Sequence, residues 1–525
     1  MSGVPARSSY DVIVVGGGHN GLVAAAYLAR AGRSVALLER RRELGGASVS
    51  VQAFPGVQAR MSRYAYLVSL LPELIVRELG LDVKLARRRV ASYTPDPRVA
   101  GASGLLVDGG DPAASEASFT TLAGEGTLAR WREFYEMTAG VARAVFPTLT
   151  EPLPSRERLR ALVGDEAAWR ALFEEPLAEA VNARLSDDVV AGVALTDALI
   201  GTFARADDPE LRQNRCFLYH VIGRGSGEWL VPVGGMGALA SALVRAARRA
   251  GAELCTDAEV LGLEPGSDGV GVRLQGGSGE RVVRAAHVLA GVAPAELARL
   301  CGHASAELEP EGSQLKLNML LARLPRLRER GLARERAFAG TFHVNESAEQ
   351  LQRAYEQAAA GTIPQQVPCE CYCHSLTDAS ILGEQLRAAG AHTLTVFALH
   401  MPARLFTADN ESAREHALTA TLRSLDSVLA EPIEECLLRA PGGEPCVEAR
   451  TPLDIERELR MPGGHIFHRD LSWPYAEREQ DVGSWGVETR EPRILLCGAG
   501  ARRGGGVSGI PGRNAAMALL ARAAG

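Results

Sequence analysis

Lys316 and His220 are the side chains best suited to moving a proton, and the glycines of Gly16-Gly-Gly18-His19-Asn20-Gly21 are spaced to hold a phosphate. Only two lysines, Lys84 and Lys316, stand among 57 basic residues. A drift of coding composition from lysine to arginine explains that bias without function. It also singles out a persisting lysine as an amine that arginine could not replace, because only lysine is a compact cation whose pKa falls readily on burial. In Gly312-Ser-Gln-Leu-Lys316-Leu-Asn318, strand alternation sets Lys316 with Asn318 and against Leu315 and Leu317. Desolvation there would lower its pKa, whereas the competing reading is a lysine snorkelling from a strand end to water. His220, in Leu218-Tyr-His-Val-Ile, is a candidate general base. No acid stands at a fixed offset from it, so a structural histidine is the alternative.

These residues need elements to position them. Residues 11–15 read as a buried parallel strand and 22–31 as a helix, with the glycine turn between. In that arrangement Gly16 permits the tight turn, Gly18 lets the backbone approach a pyrophosphate, Gly21 brings helix and strand together, and the helix N-terminus faces the negative charge. Glu39 ends the next strand about 20 residues on, where a carboxylate accepts the hydroxyls of a ribose. Strand, glycine turn, helix and acid together predict dinucleotide binding. Farther along, 60–80 reads as a turn and an apolar helix ended by Gly80, and Leu105-Leu-Val-Asp with Ala117-Ser-Phe-Thr-Thr as a hairpin. Helical periodicity dominates about 125–215 and predicts a cap over a pocket. Around Gly271-Val-Arg-Leu, Arg281-Val-Val-Arg-Ala and His287-Val-Leu-Ala the pattern predicts a strand pair and a further strand. At the end of the chain a buried strand, Ile494-Leu-Leu, runs into a loop rich in glycine and then a helix.

Three segments carry a resemblance. The first is the N-terminal glycine motif followed by Arg40-Arg-Arg-Glu-Leu-Gly45-Gly46-Ala47; the second is Trp229-Leu-Val-Pro-Val-Gly234-Gly235 leading to Val260; the third is Pro462-Gly-Gly-His465-Ile-Phe-His468 with Gly498-Ala-Gly500 through Gly504-Gly-Gly506-Val507. The chain resembles the flavoprotein superfamily of amine oxidases and phytoene desaturases, and within it the phytoene-dehydrogenase-like FAD-dependent oxidoreductases. The resemblance implies an α/β fold: a glutathione-reductase-like Rossmann domain that is discontinuous (8–70, 230–300 and 485–525), with an α+β substrate domain (71–229 and 301–484) carrying the helical cap. It implies FAD as cofactor, held by Gly16, Gly18, His19, Asn20, Gly21, Glu39, Arg40, Gly46, Ala47, Val260, Gly500, Gly506 and Val507, with Val260 binding the adenine through its backbone. Lys316 is similar in position to the lysine that amine oxidases bridge by water to flavin N5, and His220 lies where the family chain passes near the cavity. His465 and His468 resemble positions at the flavin end of the pocket and rank below His220 as catalysts. The implied activity is desaturation or oxidation of an apolar small molecule by hydride transfer to flavin, with oxygen, a quinone or another carrier as electron acceptor. A redox-neutral polyene isomerase and a flavin-binding regulatory protein without turnover stay open as alternatives. The closing loop offers Gly509-Ile-Pro-Gly512 where amine oxidases place an aromatic residue, and aromatic content is 5%, so an aliphatic pocket lining is expected and a cation-binding aromatic cage is not.

Composition narrows the classes. A chain of 525 residues implies two or three domains and a full core. Hydrophobic residues at 46% and charged ones at 23% are those of a globular protein. A net charge of -6 offers no basic field for nucleic acid. The start of the chain lacks the apolar segment of a secretory signal and no stretch has the length to span a bilayer, so a cytoplasmic protein is expected. A peripheral membrane contact and a homodimer are left open. Nine cysteines, an odd number, fit reduced thiols. Cys369, Cys371 and Cys373 alternate and could imitate a metal site, but period-two cysteines are more often small core residues, and no metal is expected.

Overall fold

A computed structural model describes residues 3–276, 279–303 and 310–524. Val12, Ile13 and Val14 are fully buried in the strand Ser9–Val15, because parallel strands are covered on both faces. That strand lies at the centre of a seven-stranded sheet. Val35–Leu38 and then Glu253–Cys255 follow in parallel on one side. On the other side runs Gly279–Ala290, a single strand of 12 residues. Its first half pairs antiparallel with Val270–Gly276, which pairs with Glu259–Pro265; its second half is parallel to Ser9–Val15 and to Ile494–Leu496. The two strands expected over 281–290 are thus one, continuous through Ala286 into the core. The sheet draws on three stretches far apart in the chain, and residues 494–496 close it.

The first helix runs His19–Arg30, three residues earlier than its apolar pattern suggests. Gly18 is its N-cap, so the phosphate turn and the first helical turn are the same residues. Gly21 has no room for a side chain: a Cβ there would stand 2.2 Å from the Gly16 carbonyl oxygen. The terminal helix Ile510–Ala524 lies against the first helix through another such contact, with a Cβ on Gly512 falling 2.1 Å from the Asn20 oxygen.

A second seven-stranded sheet is ordered Val447–Arg450, Leu315–Leu321, His392–Ala398, Cys369–Tyr372, Thr341–Val344, Ser92–Pro95, Gly104–Val107. All its pairings are antiparallel except Thr341–Val344 with Ser92–Pro95. Gly104–Val107 is therefore half of a hairpin, but its partner is upstream. Residues 117–121 lie inside the helix Pro112–Ala123, where Ser115 and Ser118 bond back to the strand. Of the helix expected over 60–80 only Glu73–Leu79 forms, ended by Gly80 in the left-handed conformation; residues 61–62 belong to a short strand. Helices between Pro112 and Val221 make a cap with its own core around Trp169, Phe119, Phe134 and Phe217. Among the described residues no helix is long and apolar enough to cross a membrane.

Substituting Gly512 by alanine should destabilise the protein by about 1–3 kcal/mol, because the new methyl group forces the two helices apart. Urea unfolding of the variant against the parent measures it.

Candidate functional site

One cavity of about 500 Å³ runs from the glycine turn to the second sheet. At the nucleotide end it is lined by Gly16, Gly18, His19, Asn20, Gly21, Glu39, Arg40, Gly46, Ala47 and Val260, the residues expected there. Glu39 is buried, and its two carboxylate oxygens accept from the Gly17 and Arg41 amides at 2.8 and 2.9 Å. The second glycine pair is stitched to the first loop, Gly45 N donating to Gly17 O at 2.8 Å. A Cβ on Gly18 would meet nothing within 4 Å, so that glycine is open to the cavity rather than needed by the protein's own packing. The ladder is irregular between Val260 and Gly262, beside the cavity. From the closing loop Gly506 and Val507 reach the cavity as expected, but Gly500 does not. A Cβ on Gly500 would stand 2.5 Å from the Pro294 ring, so this glycine serves packing, and Gly498 and Ala499 line the cavity in its place.

The other end is built by the second sheet. Register places His343 opposite Glu370, Glu370 opposite Phe397, and Phe397 opposite Lys316. These four residues form one row across four strands, and all four line the cavity. Directly paired residues share a face; Tyr372 and Thr341, two residues on, belong to the same floor. Lys316 is 2% exposed, and its Nζ has no hydrogen-bond partner and stands 4.1 Å from the centre of the Tyr66 ring. Burial holds its amine well below the usual lysine range. Its neighbour Asn318 is by contrast satisfied, donating to Arg63 O and Glu448, both at 3.1 Å. Lys316 therefore does not snorkel.

His220 also lines the cavity. Its Nδ1 stands 3.0 Å from the Cys216 carbonyl, and burial pushes its pKa down to about 4. Its ring is tethered to its own helix and in contact with the chamber. His468 lines the cavity with an unpartnered Nδ1, whereas His465 is buried near Asp470, 3.4 Å away. Cys369 and Cys371 face the hydrophobic core. The alternation that turns them inward turns Glu370 and Tyr372 to the cavity.

The expected aliphatic lining is not observed. Tyr66, Trp131, Tyr135, Tyr219, Trp229, Tyr372, Phe397 and Phe467 all line the chamber. A low aromatic count says nothing of where the aromatics are, and many of this chain's few are gathered here. The far end is polar as well. Glu370 accepts from the Tyr372 hydroxyl, and burial with the nearby Glu346 carries its pKa up to about 8. Burial raises Asp197 to about 6 and Glu346 well above the carboxylate range. His343 Nδ1 is paired with Glu346, and burial lowers the pKa of its ring.

Residues 14–70 match the NAD(P)-binding Rossmann-like domain family. The Mycobacterium tuberculosis protein Rv0897c is 53% identical, covering 98% of this chain and 97% of its own. Pyridine nucleotide-disulfide oxidoreductase domain-containing protein 2 of Mus musculus is 30% identical over 98% of this chain and 94% of its own length. The chain belongs to that protein's family. A putrescine oxidase variant superposes with a TM-score of 0.60 at 18% identity, covering 98% of this chain and 99% of its own. Cyclohexylamine oxidase from Brevibacterium oxydans gives 0.55 at 15%, covering 98% and 100%. The α/β fold, with its Rossmann-like dinucleotide domain, is shared with these two oxidases.

Glu370 has a raised pKa in the fold, so the native state holds a proton that the unfolded chain has lost above about pH 4.3. Stability should therefore fall as pH rises from there to about 8. In Glu370→Gln that slope should flatten, as read from unfolding midpoints between pH 5 and 9.

Proposed function

We propose that this chain is an FAD-dependent oxidoreductase that desaturates or oxidises an elongated, largely apolar molecule. The observation that carries the reading is the single continuous cavity joining Gly18 and Glu39 to Lys316 and the aromatic chamber. A dinucleotide laid from the ribose acid across the glycine turn would bring its reactive end toward the row on the second sheet. Three features fit FAD: the open face of Gly18, the carboxylate of Glu39 beside the turn, and the buried unpartnered Nε2 of His19 at the same loop. A second nucleotide fold would require a strand before Gly223-Arg-Gly-Ser-Gly227, and that stretch instead follows the helix Arg212–Val221 as a short turn. This favours one flavin over a flavin with a nicotinamide site. The residues expected at the cofactor, with Gly498 and Ala499 in place of Gly500, would hold it. In this reading 8–70, 230–300 and 485–525 form the FAD domain.

Bound there, FAD would supply a two-electron acceptor for a hydride leaving carbon. The chain itself does the rest. The cap and the aromatic lining exclude water, and the floor orients the substrate along the sheet row. Lys316, whose amine burial holds well below the usual lysine range, can accept or return a proton at Nζ. The buried ring of His220 offers a second proton site on the opposite, helical wall. The phytoene-dehydrogenase-like subgroup is the finer placement we favour, on the glycine-rich closing loop; oxygen or a quinone takes the electrons.

Purified protein should be yellow and release FAD on denaturation. Gly18→Val should keep its thermal stability as apoprotein and bind FAD about tenfold or more weakly, because the side chain fills space that only a ligand's close approach uses. Unchanged flavin content would overturn the placement. Lys316→Met should retain flavin, and after photoreduction should react with oxygen slower by about tenfold or more if the amine manages protons in that step. Stopped-flow absorbance measures it.

A further inference from the structure

The floor of the chamber has a direction. Lys316 stands at one end of the row and His343 at the other, separated by three strand spacings, or about 14 Å. At the His343 end two carboxylates look into the cavity. Glu370, on the sheet, lines the cavity, is 3% exposed and accepts the Tyr372 hydroxyl at Oε2. Asp197, on the cap helix Asp188–Leu199, faces it from above, and among the described residues its carboxylate accepts no hydrogen bond. His343 closes the end wall with Nδ1 committed to Glu346, behind which the acid is fully buried. Arg88 also lines the cavity at this end: its Nη1 donates to Thr341 Oγ1 at 2.7 Å and its guanidinium lies 5.7 Å from the centre of the Tyr372 ring. Trp131 and Tyr135 of the cap form walls around this end, and Tyr372 and Phe397 belong to its floor.

We infer that this deep end is a cation subsite, which receives the ammonium terminus of an elongated apolar ligand whose other end lies near Lys316. This rests on the reading of the cavity as the substrate chamber. Carboxylates lining a largely enclosed chamber are costly unless a counter-charge or a proton neutralises them. Burial raises the pKa of both carboxyls, Glu370 to about 8 and Asp197 to about 6, so that part of their charge is answered by protons when no ligand is bound. An ammonium group carries three donors and a full charge, replaces those protons, and finds aromatic faces suited to a cation around it. A divalent metal fits less well. The tight ligand group here is His343, Glu346 and Glu370, whose candidate atoms lie within 4.8 Å of one another. It takes in an imidazole nitrogen or a carboxylate already paired with each other and leaves Asp197 outside. Three strand spacings separate the two ends, so the ligand is long: its charged end sits about 10–14 Å from the amine of Lys316.

The test uses the full-length protein as purified and n-alkylammonium chlorides from hexyl to dodecyl, against n-alkanols and n-alkanoates of the same lengths. Binding is read by perturbation of the flavin spectrum and independently by the thermal shift of the protein. The ammonium series should bind about tenfold or more tighter than the alcohols, with an optimum among the longer chains. Its affinity should rise from pH 6 to 9 as Glu370 gives up its proton, while alcohol binding stays flat. Glu370→Gln and Asp197→Asn should each remove the preference and leave alcohol binding and flavin content unchanged. Equal binding of alcohols and ammonium ions overturns the subsite, as does tightest binding of the alkanoates, which would assign this end to Arg88. Stoichiometric Mn²⁺ binding in calorimetry that is lost with Glu370→Gln would make it a metal centre and also overturn the proposal. A colourless protein would refute the flavin reading alone, because the thermal shift still reports the ammonium preference.

Discussion

The register of the second sheet is the constraint on which the chamber depends. Pairing fixes His343 beside Glu370, Glu370 beside Phe397 and Phe397 beside Lys316. A slip of one residue in any strand would turn its member of the row into the core and bring a cysteine, valine or leucine to the cavity. The register is secured from behind: Cys369, Cys371, Val396, Leu315 and Leu317 are all buried in one apolar cluster. Hydrophobic burial on one face thus holds polar groups in place on the other. That is how a lysine and several acids stay where water would otherwise be preferred.

The nucleotide end is held by a different economy. There the backbone itself approaches, and glycine is needed where no Cβ can fit. Gly21 against Gly16 and Gly512 against Asn20 set the spacing of the first helix, its strand and the terminal helix. Gly18 differs in kind, because its missing side chain leaves space in the cavity and relieves no internal contact. Two glycines of one motif therefore do opposite jobs, one closing the fold and one opening the site. Gly500, at the other end of the chain, belongs with the first kind.

The polar far end changes what the chamber selects. An aliphatic tunnel would distinguish ligands by length and shape alone. A chamber that runs from the Lys316 amine to the carboxylates of Glu370 and Asp197 adds polarity to that measure, so orientation as well as length is recognised. Burial is the common cause: it lowers the pKa of Lys316, and it raises those of Glu370, Asp197 and Glu346.

Local pattern was enough for the parts of this protein built from contiguous residues. Strand, glycine turn, helix and ribose acid lie within residues 9–39, and all of them line or frame the cavity because their geometry is set by neighbours in the chain. Lys316 was legible for a related reason: rarity marked it, and alternation gave its side. The aromatic walls and the acidic end were not legible. Tyr66, Trp131, Tyr219 and Phe397 come from distant elements, and composition counts aromatics without locating them. Glu370 was masked by the cysteines on either side of it. Asp197 sits in a helix whose residues are otherwise almost all buried, with nothing local to show that its carboxylate meets a strand residue 173 positions away. Whether a hairpin took its partner from 92–95 or from 117–121 was likewise decided by the sheet, since propensity does not choose between strands that tertiary packing must bring together.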